Sequence, residues 1–105
     1  MIGILGGTFN PIHLGHLYLA NQIQTKLGFD SIRFMPAALP ALKGKPNVTA
    51  EQRAEMVKIA IANQPHFSLD TRELSRAGTS YTIDTLISLR EELGDEVSLC
   101  WLMGF

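Results

Sequence analysis

Cysteine, excess charge of either sign and long apolar runs are all scarce in this sequence. The single cysteine, Cys100, excludes a disulfide framework and a cysteine-based zinc site. It lies in the apolar run "VSLCWLM", where a small buried hydrophobe is expected rather than a reactive thiol. Nine Lys and Arg against ten Asp and Glu leave a net charge of −1. That balance argues against a protein that tracks nucleic-acid phosphates along a basic face, so any anion must be met by a few local groups. No apolar run approaches the length that crosses a bilayer. The start, "MIGILGG", lacks a basic region followed by a long apolar stretch. The expectation is a soluble, cytoplasmic protein with neither nucleic acid nor membrane as a partner.

What the sequence does contain is a regular alternation. Its 105 residues hold one domain, 1–105, and 46% hydrophobic with 18% charged residues is a globular composition. "IGIL" (2–5) is a short apolar, β-branched run that ends at Gly6-Gly7 and predicts a buried strand. From about Leu14 to Leu27 apolar residues fall at Leu17, Ala20, Ile23 and Leu27, a helical spacing, and Gly28 stops it. "SIRFM" (31–35) reads as a second strand closed by Pro36. A long proline-rich loop, "PAALPALKGKPNV", follows, of the kind that usually carries function.

Thr49 and Gln52 form a capping-box pair for a second helix running to about Asn63, with Ala54, Val57 and Ile61 on one face. "HFSLD" (66–70) predicts a third strand, "TRELSRAGTSY" a polar connection, and "TIDTLISLREEL" a third amphipathic helix. Ile83, Leu86, Ile87 and Leu93 are expected to face inward there, with Gly94 as the stop. "VSLCWLM" (97–103) is the fourth strand. The order β-α-β-α-β-α-β implies an α/β fold, a parallel sheet with helices on its faces.

In such a sheet ligands bind beyond the carboxyl ends of the strands. "GGTFNPIHLGHL" (6–17) lies at that end, between the first strand and the first helix. Glycines there let the backbone turn and approach a ligand, although Gly6-Gly7 alone reads as a tight turn. His13 and His16, three apart at the helix start, project from one side, where free N–H groups and the helix dipole favour an anion. Two imidazoles so placed can bond phosphate oxygens and stabilise charge developing on them. That chemistry is phosphoryl-type transfer by positioning and electrostatics, without a protein nucleophile. With no carboxylate or cysteine ligand beside them they make a poor zinc site, so no protein-held metal is expected.

These residues resemble the signature of the nucleotidyltransferase superfamily marked by a His-x-Gly-His motif. More narrowly, "TAEQRAEMVKIAI" (49–61), "RELSRAGTSYTIDTL" (72–86) and "CWLMG" (100–104) are similar to the bacterial nicotinate-nucleotide adenylyltransferases. The resemblance covers essentially the whole chain and implies a Rossmann-like open parallel sheet, truncated after the fourth strand. It implies that ATP, with Mg²⁺, and nicotinate mononucleotide are joined into nicotinate adenine dinucleotide with release of pyrophosphate.

By the same resemblance Gly7, Thr8 and Phe9 would cradle ATP, and His13 and His16 would be the catalytic pair on its triphosphate. Lys43 and Arg53 would reach its phosphates, and Thr79, Ser80, Tyr81 and Thr82 would hold the mononucleotide. On residue chemistry alone, Lys43 reads as a solvated charge and Arg53 as a surface partner of Glu51 or Glu55. Tyr81 reads equally as a core aromatic, and Thr82 as a helix cap with Asp84 in the first turn. The basic loop has leucine, in "ALKGK", where relatives place histidine before lysine.

Relatives also continue past the residue matching Gly104 with further substrate-binding residues. The resemblance therefore implies an N-terminal half, incomplete at its C-terminal end and impaired in activity. Its fourth strand would form an apolar edge through which self-association is expected. Two other readings stay open. One is a different member of the superfamily, a pantetheine-phosphate adenylyltransferase or a cytidylyltransferase; the other is a non-catalytic nucleotide-binding module.

Overall fold

In the computed structural model the described residues are 1–7, 9, 14–37, 49–74 and 82–102. Four strands and three helices alternate along them: β1 (Ile2–Gly7), α1 (Leu14–Leu27), β2 (Ser31–Pro36), α2 (Ala50–Ala60), β3 (Phe67–Leu69), α3 (Thr82–Leu93) and β4 (Leu99–Leu102). The strands form one parallel sheet in the order β3-β2-β1-β4. The chain thus steps outward from β1 to β2 and β3, then crosses back to place β4 on the other side of β1. The expected α/β architecture holds.

Alternation along each strand divides the side chains between two faces. On one face Leu5, Ile32, Phe34 and Phe67 pack with Ala20 of α1 and Val57 of α2. On the other, Ile4 and Met35 pack with Leu89 of α3, flanked by Leu86, Leu93, Leu99 and Trp101. Local signals act where the sequence places them. Gly28 and Gly94 adopt φ of +68° and +84° directly after α1 and α3, conformations that cost any residue with a Cβ. Thr49 accepts from the Gln52 backbone N–H (3.1 Å) while the Gln52 side chain accepts from the Thr49 backbone N–H (2.9 Å), completing the capping box.

Three expectations shift. β1 runs on through both glycines, which pair with Met35 and Pro36 rather than forming the turn. A Cβ on Gly6 would lie 3.3 Å from the Trp101 ring, so this glycine makes room for packing across the sheet. Along α3, Leu86 and Leu93 do pack inward, but Ile83 and Ile87 are exposed, and Thr85 and Leu89 are fully buried instead. The inward stripe runs through 85, 86, 89 and 93, and a polar residue occupies one of its positions. Leu27, at the last turn of α1, is also exposed.

Candidate active site

The carboxyl ends of β1 and β2 meet at one corner of the sheet. Gly7 ends β1, and its carbonyl accepts from the Ala37 N–H (2.8 Å) just past β2. Ala37 in turn offers its carbonyl to Nη1 of Arg53 (2.9 Å), reaching across from the first turn of α2. Arg53 is 1% exposed, so it is not the surface side chain that the amphipathic pattern of α2 allowed. Burial holds its guanidinium below the ordinary arginine range, opposed only in part by nearby Glu51. A basic group is therefore built into the end of β2, where it fixes the chain as it leaves the sheet.

Phe9 is the second anchor. It adopts φ of +47°, the left-handed region that a bulky side chain rarely enters, and yet it is buried. Its ring lies against Phe34 (5.8 Å between centroids) and meets the His16 imidazole edge-on (5.1 Å, 79°). His16, half-buried, sits in the first turn of α1, next to the exposed Gly15. That turn carries no acidic side chain of its own to offset the positive end of the helix dipole. A strained aromatic in the core thus orients an imidazole at a helix N-terminus beyond the end of β1, a place suited to phosphate oxygens.

Of the residues singled out from sequence, Gly7, Phe9, His16 and Arg53 come to this corner. Thr82 opens α3, and Asp84 is exposed in its first turn. Thr8, His13, Lys43, Thr79, Ser80 and Tyr81 lie outside the described residues. Among the described residues, no helix is long and apolar enough to cross a membrane.

Sequence reasoning missed a charged cluster on the α3 face. Arg33, in mid-β2, donates from Nη1 to Asp70 (3.1 Å) and from Nη2 to Glu92 (2.9 Å). Arg72 donates from Nε to Asp70 (2.8 Å), from Nη1 to Ser88 Oγ (3.0 Å), and from Nη2 to Glu92. Hydrogen bonds from Arg33 and then Arg72 draw the Glu92 carboxyl from 4.5 down to about 2. At Asp70 burial works to raise the carboxyl, but the bonds from Arg72 and Arg33 outweigh it and hold it low. Arg33, Asp70, Arg72 and Glu92 line an open cleft of about 550 Å³. Because these charges satisfy one another, the cleft reads as a cross-link between β2, the end of β3 and α3, rather than as a ligand site. Its one sequence signal is the Asp70-x-Arg72 spacing directly after a strand; nothing local points to Arg33 or Glu92.

The sequence pattern of the cytidylyltransferase-like family matches residues 4–104. A probable nicotinate-nucleotide adenylyltransferase of Aeromonas salmonicida (strain A449) is 52% identical over 103 residues, which are 98% of this chain and 48% of that protein. One of Cellvibrio japonicus (strain Ueda107) is 48% identical over 103 residues, 98% of this chain and 49% of that protein. The chain thus spans about half the length of the curated relatives it matches. Among solved structures, Plasmodium falciparum nicotinic acid mononucleotide adenylyltransferase complexed with NaAD superposes with a TM-score of 0.73 at 22% identity. That superposition covers 95% of this chain and 48% of the other.

Proposed function

Since the chain belongs to the cytidylyltransferase-like family, we propose that it carries the nucleotide-binding part of a nicotinate-nucleotide adenylyltransferase, working in the cytoplasm. The phosphate of nicotinate mononucleotide attacks the α-phosphorus of ATP in line; a P–O bond forms to it as the bond to pyrophosphate breaks. No protein nucleophile or base takes part, so catalysis rests on positioning and charge stabilisation. Mg²⁺ enters with ATP as part of the substrate and offsets triphosphate charge.

The chain's own residues do the rest. Gly7, Thr8 and Phe9 cradle ATP at the end of β1. His13 and His16 donate to the triphosphate oxygens where charge develops, reinforced by the N-terminus of α1. Lys43 meets the phosphates, while Arg53, buried and bonded to the Ala37 carbonyl, supports the chain that leaves β2 beside them. Thr79, Ser80, Tyr81 and Thr82 hold the mononucleotide. In this reading residues 1–105 are a single nucleotidyltransferase domain, and a second copy associates along the free edge of β4, which is paired on its β1 side alone among the described residues.

The observation that carries the proposal is the half-buried His16, held edge-on by buried, positive-φ Phe9 at an α1 N-terminus free of acidic side chains. The identities near 50% to adenylyltransferases support the choice of substrate. The test is pyrophosphate release with ATP, Mg²⁺ and, in separate reactions, nicotinate mononucleotide, nicotinamide mononucleotide or phosphopantetheine. Release is expected with nicotinate mononucleotide, falling by roughly 100-fold or more in His16→Ala. Release with phosphopantetheine instead, or an unimpaired His16→Ala, would overturn the reading. Because the chain spans half of its relatives, nucleotide binding without turnover by any substrate would establish a binding module in place of an enzyme.

A further inference from the structure

One face of the sheet carries a row of rings. Phe67 lies against Phe34 (5.2 Å between centroids, 58° between planes), Phe34 against Phe9 (5.8 Å, 42°), and Phe9 against the His16 imidazole (5.1 Å, 79°). Each spacing is that of an aromatic pair in contact. The row therefore starts on β3, crosses β2 and ends on an imidazole in the first turn of α1. All three phenylalanines are buried, and His16 is half-buried.

The two middle members differ in what holds them. Phe34 stands inside β2, opposite Leu5 of β1 and Leu69 of β3, and its carbonyl accepts from the Asp70 N–H (2.9 Å). Paired on both flanks and fully buried in one cluster with Val57 of α2, it cannot shift without disturbing the sheet. Phe9 has φ of +47°, a conformation that persists in a bulky residue only where its surroundings over-determine it. Burial of its ring against Phe34 is such a surrounding. With that ring gone, the Phe9 backbone can relax, and the surface against which the imidazole rests moves with it.

From this we propose that Phe34 is a positioning residue for His16, acting through Phe9, with Phe67 backing it from β3. The inference rests on the proposed function in so far as it gives the imidazole its work on the triphosphate. Neither Phe34 nor Phe67 is a catalytic residue. α1 sets where the His16 backbone lies, and the row of rings ties the imidazole to the sheet, with the accuracy that charge stabilisation demands. An unbranched, flexible side chain of similar bulk would fill the same core without holding this line.

The test reads His16 in the intact chain by proton NMR without ligand, its ring signals assigned by their loss in His16→Gln. The neighbouring Phe9 ring displaces those signals from the positions of a free imidazole. In Phe34→Leu, and in Phe34→Met, which keeps more of the bulk, they should move most of the way to where Phe9→Leu puts them. Phe67→Leu should move them in the same direction but less. Leu89→Ala, equally buried but on the other face of the sheet, should leave them in place. Because Phe34 acts through Phe9, adding Phe34→Met to Phe9→Leu should move them no further. Signals unmoved in the Phe34 variants, equal movement in Leu89→Ala, or full additivity with Phe9→Leu would overturn the inference. Should Phe34→Leu fail to fold, Phe34→Met and Phe67→Leu carry the same comparison.

Pyrophosphate release with ATP, Mg²⁺ and nicotinate mononucleotide joins the inference to the reaction. In Phe34→Met, kcat should fall roughly tenfold while KM for the mononucleotide stays within about twofold. A change in KM alone would overturn the positioning role. If the wild-type chain releases no pyrophosphate, the functional reading falls, and the His16 signals alone decide whether the rings hold the imidazole.

Discussion

Replacing Glu92 by glutamine tests the charged cross-link most directly. Its carboxylate is shared between Arg33 and Arg72, and these bonds hold its titration near 2 instead of 4.5. A folded-state value depressed in this way adds stability that is fully present above pH 4.5 and is lost as the pH falls through about 2. Taken whole, the depression corresponds to roughly 3 kcal/mol at about 1.4 kcal/mol per pH unit. The Glu92 side chain is 45% exposed, however, so water screens the pair. The contribution to expect is about 1 kcal/mol.

Urea unfolding of the wild type and Glu92→Gln at pH 7, 4 and 3 reads it. The wild type should be more stable by about 1 kcal/mol at pH 7, with the gap narrowing at pH 4 and again at pH 3. Asp70, also held low, loses its contribution toward acid in both proteins, and because it shares Arg33 and Arg72 with Glu92 the measured gap includes the coupling between the two carboxylates. A gap that stays constant from pH 7 to pH 3 would show that Glu92 contributes packing or shape and not a titrating ion pair. A gap that widens toward acid would refute the sign of the argument altogether.

Two further outcomes follow from the fold. Leu89→Ala, at a fully buried site beneath α3, should lose about 2–5 kcal/mol in chemical denaturation. Ile83→Ala on the same helix, being exposed, should stay within about 0.5 kcal/mol; comparable losses would mean that the inward stripe is misassigned. For the β4 edge, sedimentation over a range of protein concentrations should reveal self-association; a monomer throughout would exclude the edge as an interface.

Much of this architecture was legible because its signals are local. The limits of α1, the two glycines with positive φ and the Thr49–Gln52 box each follow from residues within a turn of one another. The misread parts depend on distance along the chain. Periodicity assigned Ile83 and Ile87 to the core because they are apolar, and could not see that Thr85 has a buried acceptor in Glu73. Arg53 looked like a surface partner for its helical neighbours, whereas the Ala37 carbonyl that takes it lies just past the end of β2. Arg33 and Glu92 sit far apart in sequence and meet only because β2 and α3 share a face of the sheet.

At the candidate site, placement after a strand and before a helix marked Gly7 and His16, while Phe9 was marked only by the family resemblance. The left-handed turn at Phe9 carried no sequence signal, because phenylalanine is among the last residues expected to adopt it.

The position of β1 between β2 and β4 has a kinetic side. Ile2 lies opposite Ser31 on one flank but opposite Leu99 on the other. The first seam closes a short length of chain, while the second must bring together segments much farther apart along it. Loop-closure entropy makes that second seam slow to form, and folding rates fall as such distant pairings accumulate. During synthesis the early seam and the helices over it can assemble while β1 still presents an unmatched flank, so the strand that ends at the Gly7 corner gains its second neighbour late.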